Sequence, residues 1–158
     1  MSAKKITRIV AIAVVAGCAA LTPALSIGVV SVSASAERTG RLHVTKECSE
    51  YFGPAGDWCT VTVSNLSRLP AGSRILYSQA IGIPAGLLDS NVVLDAGGGS
   101  RAVGRCTLDL ATNLGLCTFS DGTGELAGFQ ARVDVTCTED GIVCDLDGTY
   151  RFTPSAGR

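Results

Sequence analysis

From residue 41 onward, apolar and polar side chains change places at almost every step along the chain. Successive side chains on a strand point to opposite faces, so a period of two predicts half-buried β-strands. Phe129, Ala131, Val133, Val135 and Cys137 fall on one face, and Gln130, Arg132, Asp134 and Thr136 on the other. In the stretch 101–110, Ala102, Gly104, Cys106, Leu108 and Leu110 oppose Arg101, Arg105 and Asp109. In 58–65, Cys59, Val61 and Val63 oppose Thr60, Thr62 and Ser64. The stretches 41–46, 74–81, 91–95, 114–120, 126–137 and 143–152 complete a set of about eight strands, with no long amphipathic helix among them.

The breaks between these stretches carry turn chemistry: Pro54 with Gly56, Pro70 with Gly72, Pro84 with Gly86, three glycines at 97–99, and Asp121 with Gly122. Such short connections leave no room for the crossovers that parallel strands need. Short strands at regular spacing indicate a sandwich or barrel, and barrel closure removes exposed edges. The expected fold is therefore all-β: an antiparallel up-and-down barrel of about eight strands, whose interior is filled by side chains or holds one small ligand.

Residues 1–36 stand apart. Lys4, Lys5 and Arg8 precede an apolar run from residue 9, and Ala34-Ser35-Ala36 offers a small-x-small cleavage site, the pattern of a secretory signal peptide. A rival reading takes residues 15–18 as a lipobox, leaving Cys18 lipidated and the protein anchored to a membrane. The hydrophobic stretch after Cys18 argues against it, since a tether should be polar. The expected localisation is secreted, with residues 37–158 as one domain of a size to hold a single core.

Three of the thirteen basic residues lie in the leader and none of the fourteen acidic ones do, so residues 37–158 carry a net charge near −4. That argues against nucleic acid or an anionic membrane as partner. Six cysteines remain after cleavage: Cys48, Cys59, Cys106, Cys117, Cys137 and Cys144. An even count in a small exported domain reads as three disulfides, and six cysteines permit 15 connectivities. Local order suggests Cys48–Cys59, Cys106–Cys117 and Cys137–Cys144, each closing a neighbouring hairpin. A zinc site is disfavoured, since there is no C-x-x-C and only one histidine.

Phe119, Gly122, Thr123, Gly124, Gly128 and Ala131 follow an F-x-x-G-T-G-x-x-x-G-x-x-A spacing. With the segments 65–73, 89–95, 104–109, 117–124 and 148–152, this resembles the allene oxide cyclase and dirigent-like barrels, from about Cys59 onward. The resemblance, which looks bacterial, implies an eight-stranded antiparallel barrel with a central cavity, often in a homo-oligomer. Plant members cyclise an unsaturated epoxide or steer radical coupling, and both tasks need a shaped apolar cavity with a few polar groups. The acidic pocket residues of the plant enzymes do not map onto this chain, so the cyclase activity is not carried over.

Candidate chemistry is sparse. His43, the only histidine, alternates with Leu42 and Val44 and should face solvent. The serines lack a G-x-S-x-G elbow, and the glycines at 97–99 precede a strand where a phosphate cradle would precede a helix. A barrel interior carrying one Asp and one Arg would polarise a carbonyl, an epoxide or a phenol. This makes Tyr77, Asp95, Arg105 and Asp109 the candidate site residues, with Arg74 and Arg132 as partners for Asp95, Asp109 and Asp134. Cross-strand charge pairs on a solvated outer face give the same pattern. Tyr77, Tyr150 and Trp58 line a cavity or pack a core. The acidic residues Glu139, Asp140, Asp145 and Asp147 lack the spacing of a calcium loop, and no metal or cofactor is expected.

Three functions fit. The first is a secreted barrel that binds a small apolar or phenolic ligand. The second is a cyclase- or dirigent-like protein steering a reaction in its cavity, and the third is a filled barrel working as an extracellular interaction module.

Overall fold

A computed structural model describes residues 38–82 and 86–153, and within them the alternating stretches pair in chain order to close a barrel. The strands are β1 (Thr39–Glu47), β2 (Trp58–Ser64), β3 (Arg74–Tyr77), β4 (Leu87–Asp95), β5 (Arg101–Asp109), β6 (Leu114–Ser120), β7 (Phe129–Cys137) and β8 (Val143–Phe152). Every neighbouring pair is antiparallel, and β1 closes on β8 over nine residues, from Thr39 opposite Arg151 to Glu47 opposite Val143. The described residues belong to one compact unit, Ser33–Arg158. The leader read on 1–36, with Cys18, lies outside the described residues, as do Pro84 and Ala85. Among the described residues no helix is long and apolar enough to cross a membrane.

The strand faces follow the sequence pattern closely in β5, β7 and β8, and depart from it in β2. There Thr45 of β1 opposes Val63 while Lys46 opposes Val61, so Thr62 is an extra residue on β2. Two residues opposing one is a β-bulge, and beyond it the strand's faces exchange. Val63, expected inside with Val61, therefore points to solvent and is 51% exposed. β3 is also shorter than expected: it stops at Tyr77, and residues 78–82 run as an irregular segment. Between β6 and β7 the glycine-rich segment forms a single 3-10 turn, Gly124–Leu126. Gly128 ends it at a φ of +77°, with the Thr153 carbonyl where a Cβ would lie, so only glycine fits.

The three disulfides are Cys48–Cys59, Cys106–Cys117 and Cys137–Cys144. Cys106 and Cys117 sit directly opposite each other in the β5–β6 register, as do Cys137 and Cys144 in β7–β8. All six are buried, on the barrel's inner face. Each bridge therefore fixes the register of one hairpin.

Connections of an up-and-down barrel alternate between its two ends. At one end Leu66, Leu69 and Leu126 are fully buried and, with Phe129, close the interior. The other end gathers the connections β1–β2, β3–β4, β5–β6 and β7–β8, and there the interior is not filled.

Candidate functional site

β1 runs into the open end with Leu42, Val44 and Lys46 on its inner face. The same alternation that buries two aliphatic residues carries a lysine inside, 4% exposed. Lys46 opposes Cys144 on β8 and Val61 on β2, so its ammonium can reach only the barrel interior. It donates a hydrogen bond to the hydroxyl of Tyr77, itself 1% exposed at the end of β3. The Tyr77 hydroxyl lies 3.9 Å from Cys59 Sγ, a weak acceptor for its proton.

The β1–β2 connection brings a second phenol. Cys48, held by its disulfide, accepts a hydrogen bond at its carbonyl from the Tyr51 amide, 2.9 Å away. Further along, the Gly56 amide donates to the Tyr77 carbonyl and the Tyr77 amide to the Asp57 carbonyl, at 2.7 and 2.8 Å. These bonds fasten the connection to β3 and bring the Tyr51 ring to 4.9 Å from that of Tyr77, tilted by 50°. The Tyr51 hydroxyl is buried and has no hydrogen-bond partner. Burial, reinforced by Tyr77 and by Asp57, pushes its pKa up to about 12.

Lys46, Tyr51 and Tyr77 form the polar side of a cavity of about 220 Å³. Its remaining wall is mostly apolar: Leu88 and Leu108 from the strands, Ile81, Leu110 and Ile142 from the connections, and the cystine sulfurs. Pockets that take drug-sized ligands span roughly 300–1,000 Å³, so this one suits something smaller. Asp140 is the carboxylate at its mouth, but its Oδ1 already accepts from Thr138 Oγ1 and the Ile142 amide. Those bonds, that from Thr138 foremost, hold its pKa below the usual carboxylate value.

Of the four residues singled out in the sequence, Tyr77 alone enters this cavity. Arg105 and Asp89 make a two-pronged ion pair at 2.8 and 2.6 Å on the outer face. Arg101 pairs with Asp95 at 2.9 Å, and the Gly97 amide also donates to Asp95. Asp109 accepts from the amides of Ala111 and Thr112 and so organises the β5–β6 turn. An inward Asp–Arg pair is thus not what these residues form. Their strands turn Ala102, Cys106 and Leu108 inward, and the charged neighbours must face out. The charge pairs are cross-strand pairs in solvent, and Arg74, opposite Asp95, lies over the Trp58 ring at 4.8 Å. Tyr150 packs with Phe129 and Phe152 at the closed end. His43 is solvent-facing, 2.7 Å from Asp147. Among the described residues no group of His, Cys, Asp or Glu is placed to hold a metal ion.

Sequence reasoning passed over Lys46 and Tyr51. Lys46 had a signal, since it shares the parity of Leu42 and Val44. Tyr51 had none, because its position depends on a disulfide and on bonds to a distant strand. No family model, curated protein or solved structure matches this chain.

Proposed function

We propose that this chain is an exported barrel that binds a small apolar or phenolic molecule in its open end. The observation that carries the reading is the 220 Å³ cavity, apolar on most of its wall and furnished on one side with Lys46 and two phenols. An apolar pocket with a few convergent polar groups is the usual form of a small-molecule site. Three disulfides accord with an oxidising compartment, and so does the leader pattern at the N-terminus. The resemblance to allene oxide cyclase and dirigent-like barrels supports the same reading, since those barrels use a central cavity.

A roughly 150 Å³ apolar cavity accommodates one benzene ring, so an occupant of one ring with a small substituent matches the space here. Binding without turnover is the favoured form. The cavity brings together a cation and two phenols, and the carboxylate at its mouth, Asp140, is held at Oδ1 by Thr138 and the Ile142 amide. Native mass spectrometry of the protein exported by its own host tests the proposal. The expected spectrum shows an added small mass that denaturation releases. A bare native mass, together with no binding of phenol or benzyl alcohol in ligand-observed NMR, would refute it and favour a barrel that works through its outer surface.

A further inference from the structure

The hydrogen-bonding groups inside the cavity are unbalanced in one direction. An ammonium has three donors, and Lys46 uses one on Tyr77. The Tyr51 hydroxyl is a further donor without a partner. Among the described residues no carboxylate pairs with Lys46, and the pairs His43–Asp147, Arg101–Asp95 and Arg105–Asp89 lie on the outer face. Asp140, at the mouth, is engaged by its own turn. A buried cation without a counter-charge and a buried hydroxyl without an acceptor are both costly arrangements. The missing element in each case is an acceptor, and for Lys46 it is a negative charge. Water would satisfy the hydroxyl but would leave the charge uncompensated.

Building on the reading of the cavity as a ligand pocket, we propose that its ligand is a small organic monoanion: a carboxylate on a short apolar body, seated on Lys46 and Tyr51. One carboxylate oxygen accepts from Lys46 Nζ and the other from Tyr51 Oη. The body lies against Leu88, Leu108 and Ile142. The charge is limited to one because the pocket supplies a single cation, while Asp140 at the mouth disfavours a dianion such as phosphate. The body is limited to about one ring or a short branched chain by the cavity volume.

The experiment compares benzoate, benzyl alcohol and benzylamine, near-isosteric probes of charge −1, 0 and +1, on the oxidised full protein at pH 7 by calorimetry and ligand-observed NMR. Benzoate should bind about tenfold or more tighter than benzyl alcohol, the ratio expected of a charge-assisted hydrogen bond, and benzylamine least. Lys46→Met should remove the preference for benzoate while benzyl alcohol binding persists. Tyr51→Phe keeps the lysine and the ring, and should weaken benzoate severalfold, so the proposal remains testable if the lysine variant fails to fold. Equal binding of benzoate and benzyl alcohol would overturn the anion proposal and leave the pocket reading standing. Binding of none of the three, with a bare native mass, would overturn both.

Discussion

Gly148, in the middle of β8, allows a stringent test of how tightly the barrel is wound. It opposes Leu42 on β1 and Val133 on β7. A Cβ added there would lie 2.1 Å from the Arg132 carbonyl oxygen and 2.8 Å from Val133 Cα. Real Cβ atoms essentially never approach another atom within 3.0 Å, and both neighbours are backbone, which cannot swing aside as a side chain would. In Gly148→Ala, β7 and β8 must therefore part locally by about 1 Å, which stretches ladder bonds of about 2.9 Å beyond hydrogen-bonding range. Each lost bond costs about 0.5–1.5 kcal/mol, and a buried group left unpaired costs about 1–3 kcal/mol. Two bonds left unpaired in this way give a loss of about 2–6 kcal/mol, a large share of the roughly 5–15 kcal/mol that holds a domain folded. At about 4 °C per kcal/mol for a domain of this size, the midpoint of thermal unfolding should fall by about 8 °C or more. Circular dichroism melts of the oxidised protein measure it. Gly82→Ala is the control: its added Cβ would have no neighbour nearer than 3.8 Å, so it should leave the midpoint within about 2 °C. If Gly148→Ala melts with its parent, the close approach of β7 and β8 is wrong.

Other expectations concern the staples and the cavity. Replacing Cys106 and Cys117 together by alanine should cost about 2–3 kcal/mol from the loss of loop closure alone, read as a lower denaturant midpoint; an unchanged midpoint would deny that bridge a role in stability. Tyr77→Phe removes the acceptor of Lys46 and should destabilise by about 1–3 kcal/mol, whereas Tyr51→Phe removes a hydroxyl without a partner and should be neutral or slightly stabilising; the reverse order in chemical denaturation would contradict the hydrogen bonding described. Ultraviolet titration should show a phenolate appearing near 12 that is absent in Tyr51→Phe. Because folding raises that pKa, the associated stability is present below the ordinary value of about 10 and is lost as pH rises through about 12. A titration identical in the parent and Tyr51→Phe near pH 12 would exclude a buried Tyr51.

Much of the barrel could be read from the chain because period-two alternation survives wherever one face is dry and the other wet. β5, β7 and β8 keep it without interruption. β2 loses it at Thr62, since a bulge depends on how two strands fit and leaves no mark in either one alone. Residues 78–81 looked like the continuation of a strand because Ala80 and Ile81 are apolar, yet they serve as cover at the open end. The cavity was harder to foresee. Asp95, Arg105 and Asp109 drew attention as charges in strands, although the alternation of β5 already placed Arg105 and Asp109 opposite Cys106 and Leu108. Lys46 fell on the inner parity of β1 and passed unnoticed, because a lysine at the end of a strand is ordinarily solvated. Tyr51 sits in an irregular connection, where only the folded whole determines what a side chain meets.

The seam between β1 and β8 has a consequence for how the chain can be cut. The Phe152 amide donates to the Arg38 carbonyl, so residues 38 and 152 are neighbours in space. No disulfide crosses that seam, and each lies within a single hairpin. A short linker could therefore join the two ends while new termini open at the three glycines of the β4–β5 turn. Such a circular permutant would retain all three cystines and every strand pairing. The seam, now an ordinary connected hairpin, would show that the order of strands around the barrel, and not the point at which the chain begins, determines the structure.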